Sequence, residues 1–208
     1  MNVSRTKAVE LRRDLKRDLI NVPLERLLSQ RIFECIPYVF PNSASYLDWK
    51  LHAARLLEVE PCSIYVVGSA CTLVSFSPDK RMKLFDEGPK SDIDVAVISN
   101  YHFEIAWRAL RQVGTDQYKL DEAGQKALAE HKNTHVYWGM FATEKILPAL
   151  PFGVGWTAAS IELAKLPPTE GRDIKFRVYR DAFSLVGYHL NGLGKLREQA
   201  LTPVTAPA

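Results

Sequence analysis

Two aspartates one residue apart, Asp92 and Asp94, open the apolar run Ile93-Asp94-Val95-Ala96-Val97-Ile98. Side chains on an extended strand alternate between faces, so both carboxylates point the same way. Like charges held side by side in a sheet cost tenths of a kcal/mol or more, and a divalent cation is the natural compensation. Upstream, the apolar run Ile64-Tyr65-Val66-Val67 ends in Gly68-Ser69. A glycine lets a phosphate approach the backbone, and the serine hydroxyl and nearby amides donate to its oxygens. Alone, a Gly-Ser pair is a turn and two acids on a strand are a solvated face. Together, with Ile93, Val95, Ala96, Val97 and Ile98 reading as buried on both faces, they put paired carboxylates at the mouth of a core strand beside a phosphate-sized turn. That donor set suits a divalent metal and a nucleoside triphosphate bound together.

The elements that must hold these residues follow from periodicity. Ser4 to about Leu28 is a charged helix with Leu11, Leu15, Leu19 and Ile20 at helical spacing, broken at Pro23. The apolar stretch Ile32 to Ile36 stops at Pro37. Asn42 or Ser43 caps a helix to about Leu57, with Leu47, Leu51, Ala54 and Leu57 as its buried stripe. Between Ser69 and Ser91, Ala70–Val74 starts a short helix and Phe76–Pro89 is rich in turn formers and charge. Phe103–Val113 is a helix with Ile105, Ala106, Ala109 and Leu110 inward, and Asp116–His131 a polar one. His135–Phe141 is open between strand and helix start. Thr143–Leu150 and Trp156–Leu166 read as helices, and Pro167-Pro168 ends the second. Ile174–Tyr179 alternates as a strand, with Lys175, Arg177 and Tyr179 on one side, and Phe183 to about Gln199 closes the chain as a helix. The fold class is therefore α/β (α+β), a small mixed sheet flanked by helices. Residues 1–60 form an N-terminal helical region packed on the core. Residues 61–200 form the main domain, with a helical insertion at about 103–166, and 201–208 form a flexible tail.

Gly68-Ser69 followed by Ser91-Asp92-Ile93-Asp94 resembles the signature of the nucleotidyltransferase superfamily that includes polymerase-beta-like enzymes, in its small stand-alone bacterial form. The resemblance implies transfer of a nucleoside monophosphate from an NTP or dNTP to a hydroxyl acceptor, with Mg²⁺ or Mn²⁺ as cofactor. The acceptor would be a nucleic-acid end, an oligonucleotide signal or a protein, and phage defence or a toxin–antitoxin pair would be its setting. Asp92 and Asp94 would hold the metal, while Gly68, Ser69 and Ser91 would hold the triphosphate. Two features depart from the pattern. The connection between the motif halves is about ten residues longer than in minimal members, so Phe76–Pro89 is a lid, an acceptor loop or an inert insertion. The superfamily also carries a third carboxylate on a later strand, where this chain has Lys175 and Arg177. Asp173 is the favoured candidate for it, ahead of Asp181 or no third acid at all. Lys175 and Arg177 would neutralise triphosphate charge, face solvent, or pair with Asp92 and Asp94. The alternative function is a non-catalytic nucleotide- or partner-binding module, antitoxin-like, on the same fold.

Composition sets the outer limits. At 208 residues and net charge +3, the chain is long enough for one good core and carries no nucleic-acid-binding excess of charge. Three cysteines, Cys35, Cys62 and Cys71, have no metal-ligand spacing and read as reduced thiols in a cytoplasmic protein. No stretch is apolar for long enough to span a bilayer, so no membrane partner is expected. His52, His102, His131, His135 and His189 are scattered, and Tyr137, Trp138, Phe141, Phe152 and Trp156 read as core between helices. Lys195 on the closing helix is within reach of a phosphate or simply a surface lysine.

Overall fold

A computed structural model describes residues 5–115, 121–143 and 146–202. The centre is a four-stranded mixed sheet of β1 (Ile64–Val67), β2 (Ile93–Ile98), β3 (Met140–Ala142) and β4 (Ile174–Tyr179), in the spatial order β1-β2-β4-β3. β1 runs antiparallel to β2, β2 parallel to β4, and β3 antiparallel to β4. A parallel pair needs a long crossover, and the β2–β4 pair spends it on helices α5 (Asn100–Thr115), α6 (Glu122–Glu130) and α7 (Gly153–Leu163), with β3 between the last two.

Strand alternation sorts the core into two layers. Ile64, Val66, Ile93, Val95, Val97, Phe141, Ile174, Phe176 and Val178 face one side, against α3 (Ser43–Leu57), α5 and α7. Val67, Ala96, Met140, Ala142 and Tyr179 face the other, against α1 (Arg5–Asn21), α2 (Leu24–Leu28) and α8 (Ala182–Leu201). The N-terminal helices thus divide between the two faces: α1 and α2 cover one and α3 the other. Asn42 caps α3 by accepting from the Ser45 amide (2.9 Å), and Asp181 caps α8 by accepting from the Ser184 amide (2.7 Å). At the outer edge of the sheet the Val66 amide donates to the Tyr46 hydroxyl (3.2 Å).

Several expectations need correction. The buried stripe of α3 is Trp49, Ala53, Ala54 and Leu57; Leu47 and Leu51 are 53% and 38% exposed. The helix is rotated because burying Trp49 removes the larger apolar surface, and its indole N–H finds Thr169 Oγ1 at 3.1 Å. On α1, Ala8, Leu15 and Leu19 are buried, whereas Ile20 lies off that stripe and is exposed. Ser29–Phe33 is a π-turn with Ile32 buried. His135–Phe141 resolves into a 3₁₀ turn, Val136–Trp138, followed by β3. The helix expected at Thr143–Leu150 is reduced, among its described residues, to a 3₁₀ turn at Leu147–Ala149, and Tyr137 is exposed. The opening of the helix expected at Asp116–His131 and most of the 201–208 tail lie outside the described residues.

The long connection between β1 and β2 is ordered by burial as well as by turns. Val74, Phe76, Met82, Leu84 and Phe85 are all buried, and Val74 bridges Leu84. Arg81, Met82 and Asp86 take positive φ angles of 46°, 58° and 59°, costly for non-glycine residues. Arg172 holds this shape from a distance. Its guanidinium donates to both carboxylate oxygens of Asp86 (2.8 and 2.7 Å) and to the Ser91 carbonyl (2.9 Å), and lies 4.6 Å from the Phe85 ring centroid.

Candidate functional site

The turn after β1 and the mouth of β2 meet. Gly68 sits at φ 66°, ψ −158°, a region open essentially to glycine alone, and begins the short helix α4 (Ser69–Thr72). A Cβ on Gly68 would stand 3.0 Å from Asp94 Oδ2. Glycine therefore suits the backbone angle, and any side chain here would also have to push the Asp94 carboxylate aside by a few tenths of an ångström. The register pairs Val67 with Asp94, so the turn projects over the strand position that carries the acid.

Each carboxylate is met by a cation from β4. Register places Asp94 beside Lys175 and Ala96 beside Arg177, but the side chains reach diagonally toward the mouth of the sheet. Lys175 pairs with Asp92, and Arg177 approaches Asp94 Oδ1 at 3.3–3.4 Å. Partial burial pushes the Asp92 carboxyl up, but the Lys175 ammonium outweighs it and holds the group below the ordinary carboxylate range. Of the readings open for Lys175 and Arg177, pairing with the two aspartates is the one observed.

Asp173 sits just before β4, its carbonyl accepting from the Ile93 amide (2.8 Å), and it lines the same cavity as Asp92 and Lys175. Asp181 is at the other end of β4, where it caps α8 and its carboxyl is lowered by the Ser184 hydroxyl and amide. Among the described residues no three His, Cys, Asp or Glu side chains group closely enough to hold a metal ion. The carboxylate donors at hand are thus Asp92 and Asp94, with Asp173 at the rim. A magnesium ion is commonly held through one or two carboxylates with phosphate oxygens and waters completing its shell. A cation entering with a triphosphate would take these two carboxylates only by displacing Lys175 and Arg177.

Two cavities share this end of the sheet. The first, about 400 Å³, sets Lys80, Lys83, Lys90, Arg172 and Lys175 around Asp92 and Asp173. Ser91 lines it, but its hydroxyl accepts from the Asp86 amide (2.9 Å) and so fastens the connecting loop. The second, about 460 Å³, lies on the Asp94 side and is lined by Gly68, Arg177, Trp138, Tyr188, His189 and Lys195 among others. Ser69, Ser75 and Lys80 line both, so the cavities adjoin around the start of α4. Beside the second, Tyr179 Oη and His189 Nε2 are buried with no hydrogen-bond partner among the described residues. Burial, with Arg177 nearby, lowers the His189 imidazole to about 4, and burial pushes the Tyr179 phenol up. His131, by contrast, is tied off by the carbonyls of Ala127 (2.7 Å) and Ala142 (3.0 Å).

Lys80, Lys83, Lys90 and Arg172 went unread in the sequence as site residues. For Lys80 and Lys83 the signal was the charge of the Phe76–Pro89 stretch, read as a lid, an acceptor loop or an inert insertion; Lys90 and Arg172 lie outside it and gave none. His189 and Tyr188 gave no signal beyond helical position. Compared with known proteins, no family model, no curated protein and no solved structure matches the chain.

Proposed function

We propose that the chain is a nucleotidyltransferase, moving a nucleoside monophosphate from an NTP or dNTP to a hydroxyl acceptor. The observation that carries this is the meeting of Gly68 with Asp94 over β2, with Asp92 beside them at the mouth of a cation-lined cavity of about 400 Å³. Asp92 and Asp94 would hold Mg²⁺ or Mn²⁺, with Asp173 the rim carboxylate. Such an ion neutralises phosphate charge and makes the acceptor oxygen a better nucleophile.

The chain's own groups do the remaining work. Ser69 and the amides at the start of α4 donate to phosphate oxygens. Lys175 and Arg177, paired with carboxylates in the nucleotide-free protein, turn to the triphosphate as it enters, and Lys80, Lys83 and Lys90 balance the charge left on the departing pyrophosphate. The acceptor, be it a nucleic-acid end, an oligonucleotide or a protein hydroxyl, approaches from the Asp94 side. Phage defence or a toxin–antitoxin pair is the biological setting of this reading.

A second reading is favoured by one specific observation. Lys175 and Arg177 neutralise both aspartates where a third acid would strengthen a metal site. On that reading the chain is a binding module that takes nucleotide or a partner without turnover. Labelled NTPs and dNTPs, supplied singly with Mg²⁺ or Mn²⁺, separate the two by denaturing gel and mass spectrometry. A ladder, a self-label or released pyrophosphate that disappears in Asp92→Ala and Asp94→Ala supports the transferase. Nucleotide binding without turnover by the wild type, under every condition, supports the module; neither binding nor turnover sinks the transferase and the nucleotide-binding form of the module.

A further inference from the structure

We infer that Cys35 and Cys71 form an oxidisable dithiol, a modification site that a hydroperoxide converts to a disulfide. The two sulfurs lie 3.6 Å apart. Both thiols also converge on the Arg31 carbonyl, Cys35 at 3.1 Å and Cys71 at 3.4 Å, so they point into one small space. The backbone fixes this approach. The Tyr38 amide donates to the Cys71 carbonyl (2.9 Å) and the Val39 amide to the Ala70 carbonyl (3.0 Å), which hold α4 against the segment around Pro37. A disulfide needs sulfurs at about 2.05 Å, so the two side chains must turn toward one another from this separation.

The two members differ in the way the chemistry requires. Cys35 is half-exposed and meets the oxidant, whereas Cys71 is buried. The hydrogen bond from Cys71, together with the Arg31 charge, holds the Cys35 thiol below its ordinary range despite partial burial, while Cys71 is pushed up. The Cys35 thiolate attacks one oxygen of the hydroperoxide, the O–O bond breaks, and the products are a sulfenic acid and, after proton uptake, water or an alcohol. The Cys71 sulfur then attacks the sulfenic sulfur, its proton leaves with the expelled hydroxide as water, and the S–S bond forms. Two thiols are oxidised and one peroxide is reduced. The product ties α4, which begins at Ser69, covalently to the Cys35 segment. Cys62, exposed in the turn before β1, is an internal control.

The test treats the full chain with hydrogen peroxide, blocks remaining thiols with iodoacetamide, and maps the peptides without reduction. The expected result is a peptide pair joined through Cys35 and Cys71, reversed by dithiothreitol, with Cys62 alkylated. In Cys71→Ser the oxidation of Cys35 stops at sulfenic acid, which dimedone captures. Wild-type protein whose Cys35 runs on to sulfinic acid with no joined peptide would overturn the inference. So would Cys35 and Cys71 still separately alkylated after Cys62 is oxidised.

Discussion

Replacing Arg172 by alanine removes the side chain that holds the Phe85–Ser91 end of the β1–β2 connection in place. Its fork makes two charge-assisted bonds to Asp86 and one to the Ser91 carbonyl, and its face covers the Phe85 ring. Hydrogen bonds to a charged group contribute about 1.5–3 kcal/mol each, and a cation over a ring about 0.5–1 kcal/mol. These terms overlap, and Asp86 is partly solvated, so the sum is discounted to about 3 kcal/mol for Arg172→Ala. Lysine keeps the charge but has no fork, so Arg172→Lys recovers about half of that. The loss falls on residues 76–91 before it reaches the sheet. Hydrogen exchange should show the Phe85 amide, bonded to the Leu73 carbonyl at 2.8 Å, losing about a hundredfold of protection in Arg172→Ala. Because Arg172 holds the Asp86 carboxyl below its ordinary range, this contribution is complete above the unfolded-state value near about 4 and is lost as pH falls through the lower folded value. The variant should therefore also show a flatter acid limb in its stability profile. Exchange within twofold of wild type at Phe85, with an unchanged urea midpoint, would refute the assignment of Arg172 as the clamp.

Three further outcomes follow from single contacts. Gly68→Ala forces an L side chain into φ 66° and against Asp94 Oδ2, and should cost about 1–3 kcal/mol in urea unfolding; a neutral result would mean the turn has room to relax. Lys175→Met removes the cation that depresses Asp92, so the Asp92 carboxyl, followed by carbon NMR, should titrate at higher pH than in wild type. In the wild type that pair stabilises the fold above the unfolded-state value and loses its effect as pH falls through the lower folded one, so an unmoved titration in the variant would show the pair to be inert. Tyr179→Phe deletes a buried hydroxyl without a partner among the described residues and should leave thermal stability unchanged or raise it by up to about 1 kcal/mol; a loss larger than that would reveal a partner for the phenol.

What the chain made legible was whatever local patterning controls. β1 and β2 were readable because their apolar runs have strand length, and β4 because Ile174, Phe176 and Val178 alternate with Lys175, Arg177 and Tyr179. Asn42 could be read as a cap from one side chain and one turn, whereas Asp181, weighed in the sequence as a third carboxylate, caps α8. The buried face of α3 was misread because leucines were weighed above Trp49, whose fit is decided by Thr169 far along the chain. β3 is three residues long on an edge and carries too little pattern to separate from a turn. At the site, Gly68, Asp92 and Asp94 stood out because strand geometry alone puts two acids on one face. Pairing of Lys175 and Arg177 with the two aspartates was one of three readings the sequence left open, whereas Arg172 with Asp86 and Cys35 with Cys71 gave no signal, since each of those pairs is brought together only by the fold. The Phe76–Pro89 stretch hid its role because its buried residues alternate with charges and turn formers, a pattern shared by ordinary loops.

The Tyr46 hydroxyl that takes the Val66 amide has a consequence for how this molecule meets others. A sheet margin with free amides invites another polypeptide to lie alongside and continue the ladder, the usual route to runaway stacking. Here a phenol oxygen occupies that place on a strand of four residues, while the opposite margin is only three residues long. Ladder-type recruitment is thus discouraged at both ends of the sheet. An encounter with another chain would then rest on side-chain shape and charge, and point substitutions on the outer helices should abolish it without disturbing the strands beneath.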